Sequence, residues 1–285
     1  MNKVKLCFCL FLFIISFLYM GKLISDIDVL SFILNDNKKE TVFSVITGND
    51  FNNPLSSLDV NEIVVSDGKE ETNIKEVNTS KTDTNSKPII YIFNTHETEE
   101  YARSVYNITP TVKTVSDILT DELKSLGISA FSETKSITKE VNKRGLDYTG
   151  TYTVSFEYLK MRKKENPTLE YFFDMHRDSV TGEASRITIG GKRYAKMMFL
   201  VGTKNENYKK NVENLKIMEK YLNKYYPGLV RDTYYQKHSA FNQFYSEKMF
   251  LIELGGPDNT LEEIYNTSVA LSKAIKYYVE ESYEK

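Results

Sequence analysis

Hydrophobic positions fall into three regimes along the chain. Leu6 to Met20 carries no charge, with Lys3 and Lys5 ahead of it and Lys22 behind. A stretch that is apolar on every side lacks the polar face of a surface helix, so residues 1–24 are expected to form a membrane helix, extended by the snorkelling stem of Lys22. Basic residues precede the span and no small-x-small site follows it. That favours an uncleaved anchor, with a cytoplasmic N-terminus and the rest exported, over a cleaved signal peptide. From Ser25 the pattern dissolves, and between Ser66 and Lys87 only Ile74 and Val77 are apolar. Too little apolar surface is available there to offset chain entropy, so residues 25–87 read as a flexible linker, with a more apolar patch from Val42 to Val65 as a short docking element.

From Pro88 the pattern becomes regular. Ile89 to Phe93 is a continuous apolar run of strand length, and Thr111 to Leu126 places apolar residues at helical spacing before Gly127. Ile128 to Phe131 reads as a second strand, Tyr152 to Lys164 as a helix ended by Asn166-Pro167, and Glu170 to Met175 as a third strand. Ile187 to Ile189 and Met197 to Val201 flank Gly190-Gly191 and suggest a hairpin. Asn211 to Tyr226 is helical, Met249 to Ile252 is a strand, and Thr260 to Glu281 is a closing helix capped by Asn259 or Thr260. Strands alternating with helices predict an α/β fold over residues 88–285, a largely parallel sheet flanked by helices.

Composition then narrows the chemistry. Of 285 residues, 41% are hydrophobic and 27% charged, which excludes a wholly disordered chain. A net charge of -2 argues against a nucleic-acid binder held by bulk charge. The two cysteines, Cys7 and Cys9, lie in the first ten residues, so the folded part has no disulfide, thiolate metal site or cysteine nucleophile.

Three histidines remain: His96, His176 and His238. His96 and His176 each follow an apolar strand, and Glu253 ends another. Ligands bind at the carboxyl ends of strands in open α/β sheets, so three segments can bring two imidazoles and a carboxylate to one pocket. Those donors suit a catalytic zinc, which takes three protein ligands and leaves a fourth position open. The plainer reading, in which each is a surface or hydrogen-bonded residue, weighs about equally on spacing alone. His96-Glu97-Thr98-Glu99-Glu100 is not a zincin motif, and His238, with no strand before it, reads as a loop residue.

Asn94-Thr95-His96-Glu97-Thr98-Glu99-Glu100-Tyr101, Phe173-Asp174-Met175-His176-Arg177-Asp178-Ser179, Tyr226-Pro227-Gly228-Leu229, Asn242-Gln243 and Ile252-Glu253-Leu254-Gly255-Gly256-Pro257-Asp258-Asn259-Thr260 run in order. Together they resemble the stage II sporulation protein P family, zinc-dependent peptidoglycan hydrolases similar in fold to N-acetylmuramoyl-L-alanine amidases. The resemblance implies Zn²⁺ held by His96 and His176, and Glu253 as the catalytic carboxylate, with a helix-capping or salt-bridged acid as the alternative. For the third ligand it favours Glu99 over Glu100 or Glu97. Related amidases take theirs farther along, where this chain has Pro110 and Thr111, and Asn94 stands where many relatives read histidine. Arg177 is expected to hold a substrate carboxylate or to bridge Asp174 or Asp178, and Asn242 and Gln243 to bind glycan or backbone amides. The implied activity is cleavage of the bond between N-acetylmuramic acid and the stem peptide, with peptide crosslinks as further targets, in sporulation. The implied place is the space between mother cell and forespore membranes, and the implied partner a lytic transglycosylase, stage II sporulation protein D. A non-catalytic wall-binding scaffold with a degenerate zinc site is the competing reading.

Overall fold

The computed structural model describes residues 87–104 and 107–283. The expected membrane helix and all of the linker except Lys87 lie outside them, and no described helix is long and apolar enough to cross a membrane. The described elements run β1 (Ile90–Phe93), α1 (Val112–Ser125), β2 (Ala130–Ser132), α2 (Ile137–Arg144), α3 (Gly150–Glu165), β3 (Tyr171–His176), β4 (Arg186–Ile189), β5 (Lys192–Ala195), β6 (Met197–Gly202), α4 (Tyr208–Tyr225), β7 (Tyr234–Gln236), β8 (Met249–Leu254) and α5 (Leu261–Tyr283). Six strands form one sheet in the order β2-β1-β3-β8-β6-β7. The first four are parallel, β6 is antiparallel to β8, and β7 is parallel to β6. This is the largely parallel α/β architecture that the alternation of elements predicts.

Strand alternation sorts the side chains into two cores. Ile90, Ile92, Phe173, Met175, Phe250 and Ile252 face one side with Val115 and Leu119 of α1, Leu215 of α4 and Leu271 of α5. Tyr91, Phe93, Phe172 and Met249 face the other, with Leu159 of α3. Helices therefore cover both faces, which is why these strands read as continuous apolar runs. Each fully buried large side chain contributes about 1.5 to 3 kcal/mol of transfer free energy. Outside the sheet, α2 packs Ile137 and Val141 against Val154 of α3.

One pairing differs from expectation. The strand of Ile187 to Ile189 does turn at Gly190-Gly191, but its partner is Lys192–Ala195, and Met197–Gly202 instead joins the main sheet beside β8. Lys192 and Arg193 are exposed, so β5 has no apolar run to reveal it. Helix α2 was also hidden, with only two buried residues; its signature is Ser136 Oγ accepting from the Lys139 amide at 3.1 Å and Gly145 closing it at φ 64°. At the start of α5, Thr260 and Glu263 form a reciprocal cap: the Glu263 amide donates to Thr260 Oγ1 (3.3 Å) and the Thr260 amide to Glu263 Oε2 (3.0 Å).

Candidate functional site

Strands β1, β3 and β8 end side by side, with His176 in register with Glu253 and Phe93 with Asp174. By alternation Asp174, His176 and Glu253 share the face that α3 covers. His96 follows β1 in a turn anchored through Thr95, whose amide donates to Asp174 Oδ1 (2.8 Å) and whose hydroxyl donates to Asp174 Oδ2 (2.6 Å). Asn94 ties the same turn to its neighbours, donating to the carbonyls of Met175 (2.8 Å) and Val112 (3.2 Å).

This geometry brings His96, Glu99 and His176 together, each offering one donor atom within 4.8 Å of the others. Glu99 Oε1 is 3.6 Å from His96 Nδ1 and Oε2 is 3.8 Å from His176 Nδ1. Its carboxylate is steadied by the Arg177 amide, which donates to Oε2 at 2.8 Å. The neighbouring acids are occupied elsewhere. Glu97 accepts from the Ile137 amide (3.2 Å), the Thr138 amide (3.0 Å) and the Ser136 hydroxyl at the start of α2, where a helix favours negative charge. Glu100 is exposed, in an isolated bridge to Thr111.

Charge in the cluster is unbalanced toward the negative. Burial raises the pKa of Glu99, but the neighbouring His176 and His96 rings and the Arg177 amide outweigh it and hold the carboxyl at about 2. His176 is wholly enclosed; burial opposes its protonation, yet Asp174, Glu99 and Glu253 push its pKa well above the ordinary histidine value. The pocket thus favours a positive charge between these groups. Nε2 of His96 is buried without a hydrogen-bond partner, while Nε2 of His176 faces Asp174 Oδ1 at 3.0 Å and leaves its Nδ1 toward Glu99. Two imidazoles, one backed by a carboxylate, with Glu99 between them and a field that favours a cation, together fit a zinc ion.

Glu253 stands directly beside His176 on the neighbouring strand. Burial pushes its pKa up to about 7, opposed by His176 and reinforced by Glu99, Asp178 and Asp174, and its Oε2 is buried with no hydrogen-bond partner. A carboxyl poised near neutrality can both accept and return a proton. The following glycines are required by close approach: a Cβ at Gly256 would stand 1.7 Å from the Val180 carbonyl oxygen, so only glycine lets the segments after β3 and β8 meet.

Other expected site residues sort differently. Arg177 Nη1 donates to the Asp178 carbonyl (3.0 Å) and its Nε has no partner, while the Asp178 carboxylate pairs with Arg231. Asn242 and Gln243 are buried, and their amides serve the chain itself: Asn242 Nδ2 donates to Tyr152 O (3.0 Å) and Ser155 Oγ (3.1 Å), and Gln243 binds the Gly202 amide (2.8 Å) and the Leu200 carbonyl (2.8 Å). His238 is exposed in a turn. Two roles were not anticipated. Asp174, expected at most to bridge Arg177, instead stands beside the His176 ring, a placement that strand alternation two residues earlier signals. Tyr148, whose hydroxyl lies 2.8 Å from His96 Nδ1, has no sequence signal.

Two solved structures are similar in part: the CwlD amidase from Clostridioides difficile in complex with the GerS lipoprotein (14% identity, TM-score 0.44, 68% of this chain and 99% of that one) and N-acetylmuramoyl-L-alanine amidase AmiC2 of Nostoc punctiforme (11%, 0.39, 67% and 97%). In sequence the chain is 32% identical over 203 residues to stage II sporulation protein P of Bacillus subtilis strain 168, covering 67% of this chain and 51% of that protein. The chain thus spans about half the length of the curated relative it matches. The family profile of stage II sporulation protein P (SpoIIP) matches residues 36–276, and the chain belongs to that family.

Proposed function

We propose that this protein is a membrane-tethered peptidoglycan hydrolase of sporulation, using zinc held by His96, Glu99 and His176 to cut the amide between N-acetylmuramic acid and the stem peptide. Peptide crosslinks are a second target. The observation that carries this reading is the convergence of three donor side chains within 4.8 Å, beside a carboxyl poised at about 7. Family membership supports the cell-wall and sporulation context.

When bound, zinc supplies Lewis-acid polarisation of the amide carbonyl and acidifies a water to near neutrality. The protein's own groups do the rest. Glu253 takes the proton from the attacking water and returns it to the departing amine nitrogen, without which the amine leaves slowly. Asp174 holds the His176 ring from behind, and Glu99 is kept ionised by its two imidazole neighbours. Arg177, the residue after His176, holds a carboxylate of the stem peptide. Residues 1–24 anchor the chain, and the folded domain works outside the cytoplasm, between mother cell and forespore membranes. A lytic transglycosylase, stage II sporulation protein D, is the partner that opens glycan strands whose stems this domain removes. The intact donor set speaks against a wall-binding scaffold with a decayed site.

Metal analysis tests the reading. The purified full chain should hold stoichiometric zinc, and His96→Ala and His176→Ala should each lose affinity at least about tenfold. Chelation should stop solubilisation of sacculi and added zinc restore it. Wild-type zinc affinity in both variants, or activity indifferent to chelation, would remove the metal centre.

A further inference from the structure

A row of aromatic rings leaves the metal cluster along α3. Tyr148, in the turn before α3, lays its ring on His96 with centroids 4.3 Å apart, and 67% of its surface remains exposed. Tyr152 meets the same imidazole edge-on at 5.4 Å, and Phe156 follows one turn later on the same side of the helix. The loop after β7 doubles the row: the Phe241 ring lies 5.8 Å from Tyr152 and the Phe244 ring 5.1 Å from Phe156. Phe244 is 45% exposed, and Lys160, whose ammonium sits 4.5 Å over the Phe156 ring, marks the far end.

That loop is held in an unfavourable shape to do this. Phe241 adopts left-handed backbone at φ 48°, which a bulky side chain resists, and Asn242 follows at φ 58°, a conformation asparagine tolerates. The bonds from Asn242 to Tyr152 O and Ser155 Oγ fasten the loop to α3, and Gln243 fastens it to β6. Such strain persists where the surroundings enforce it and gathers at functional sites. Its result here is two phenyl rings beside two rings of α3, one of them left open to water where packing alone would have hidden it.

We propose that Tyr148, Tyr152, Phe156, Phe241 and Phe244 form a track on which the glycan strand of the substrate stacks its sugar rings. The inference rests on the peptidoglycan reading above and adds where the sugar lies. The row begins on His96, so a chain whose scissile bond sits at the cluster must run along a neighbouring surface, and this one is continuous with it. A pyranose presents C–H groups on its face, whose partial positive charge suits the negative face of an aromatic ring and needs no ionic partner. The stem peptide, which carries carboxylates, has Arg177 beside the cluster instead. Within α3 the row advances about 6 Å from Tyr152 to Phe156 at helical rise, and Tyr148 extends it beyond the helix start toward His96, enough for more than one ring.

The test is calorimetric binding of a neutral N-acetylglucosamine tetramer, which has no stem peptide to cut, to the metal-free full chain, alongside hydrolysis of sacculi by the zinc-loaded chain. Tyr148 and Phe244 are exposed, so Tyr148→Ala and Phe244→Ala should keep the wild-type melting temperature. Each should weaken tetramer binding about fivefold, the size of one aromatic contact, while Tyr148→Phe, which keeps the ring, should bind as wild type. No tetramer binding by the wild type, or equal affinity in all variants, would overturn the track while leaving hydrolysis standing. Binding lost as expected in a chain that hydrolyses nothing would support the track and overturn the hydrolase reading instead.

Discussion

Glu253 sits where the fold disfavours its charge, and Glu253→Gln exposes that conflict directly. The unfolded chain ionises this carboxyl near 4.5 and the folded one only at about 7, so the folded state binds the extra proton between those values. Below pH 4.5 both states are neutral and nothing is lost. As pH rises through the window the unfolded state ionises first, and stability falls until the folded carboxyl also ionises. The gap from 4.5 to about 7 corresponds to on the order of 3 kcal/mol above pH 7. Glutamine keeps the size of the side chain and cannot ionise. Metal-free Glu253→Gln should therefore melt about 6 to 12 °C above the metal-free wild type at pH 8 and level with it at pH 4, read by scanning calorimetry. The zinc-loaded variant should keep its metal and lose about 10² to 10⁴ in turnover. Equal melting differences at both pH values, or a variant less stable at pH 8, would refute the reasoning. A variant unable to hold zinc would make Glu253 a ligand and pass the proton-transfer role to Glu99.

Asp174→Asn removes the charge behind His176 and should weaken zinc binding about ten- to a hundredfold in chelator competition; unchanged affinity would confine Asp174 to holding the turn at Thr95. Glu133 is buried, but the bidentate Arg162 guanidinium (2.6 and 2.8 Å) and the Tyr91 hydroxyl (2.7 Å) hold its pKa below 4.5 against the effect of burial. Its contribution is full above pH 4.5 and lost below, so Glu133→Gln should cost about 1 to 3 kcal/mol in urea unfolding at pH 7 and less at pH 3. An equal cost at both would exclude the charge as its source. Gly256→Ala places a Cβ 1.7 Å from the Val180 carbonyl oxygen and should lower the melting temperature and displace Glu253; an unchanged melt would show that the loop yields freely.

The strand ends were readable because an apolar run followed by a polar residue marks where a buried strand leaves its sheet, as at His96 and His176. Which of three nearby acids joins them was not readable from spacing, and the preference for Glu99 came from the family resemblance alone. Spacing says nothing of direction within a turn, and Glu97 is drawn to the start of α2, a helix with too few apolar residues to show itself. Asn242 and Gln243 look like binding residues in a loop, but their amides are consumed by β6 and α3, neighbours that only the folded chain supplies. Tyr148 reaches His96 through a turn whose course is tertiary. Gly190-Gly191 announced a hairpin correctly, while its second strand was masked by Lys192 and Arg193.

Hydrolysis of the amide between glycan and stem peptide is decided by product mass spectrometry on sacculi digested by the zinc-loaded full chain. Intact stem peptides with free amino termini, alongside glycan whose N-acetylmuramic acid bears a free lactyl carboxyl, are the predicted products. Peptides cut only at crosslinks, or no release from sacculi by a protein shown to carry its zinc, would contradict it.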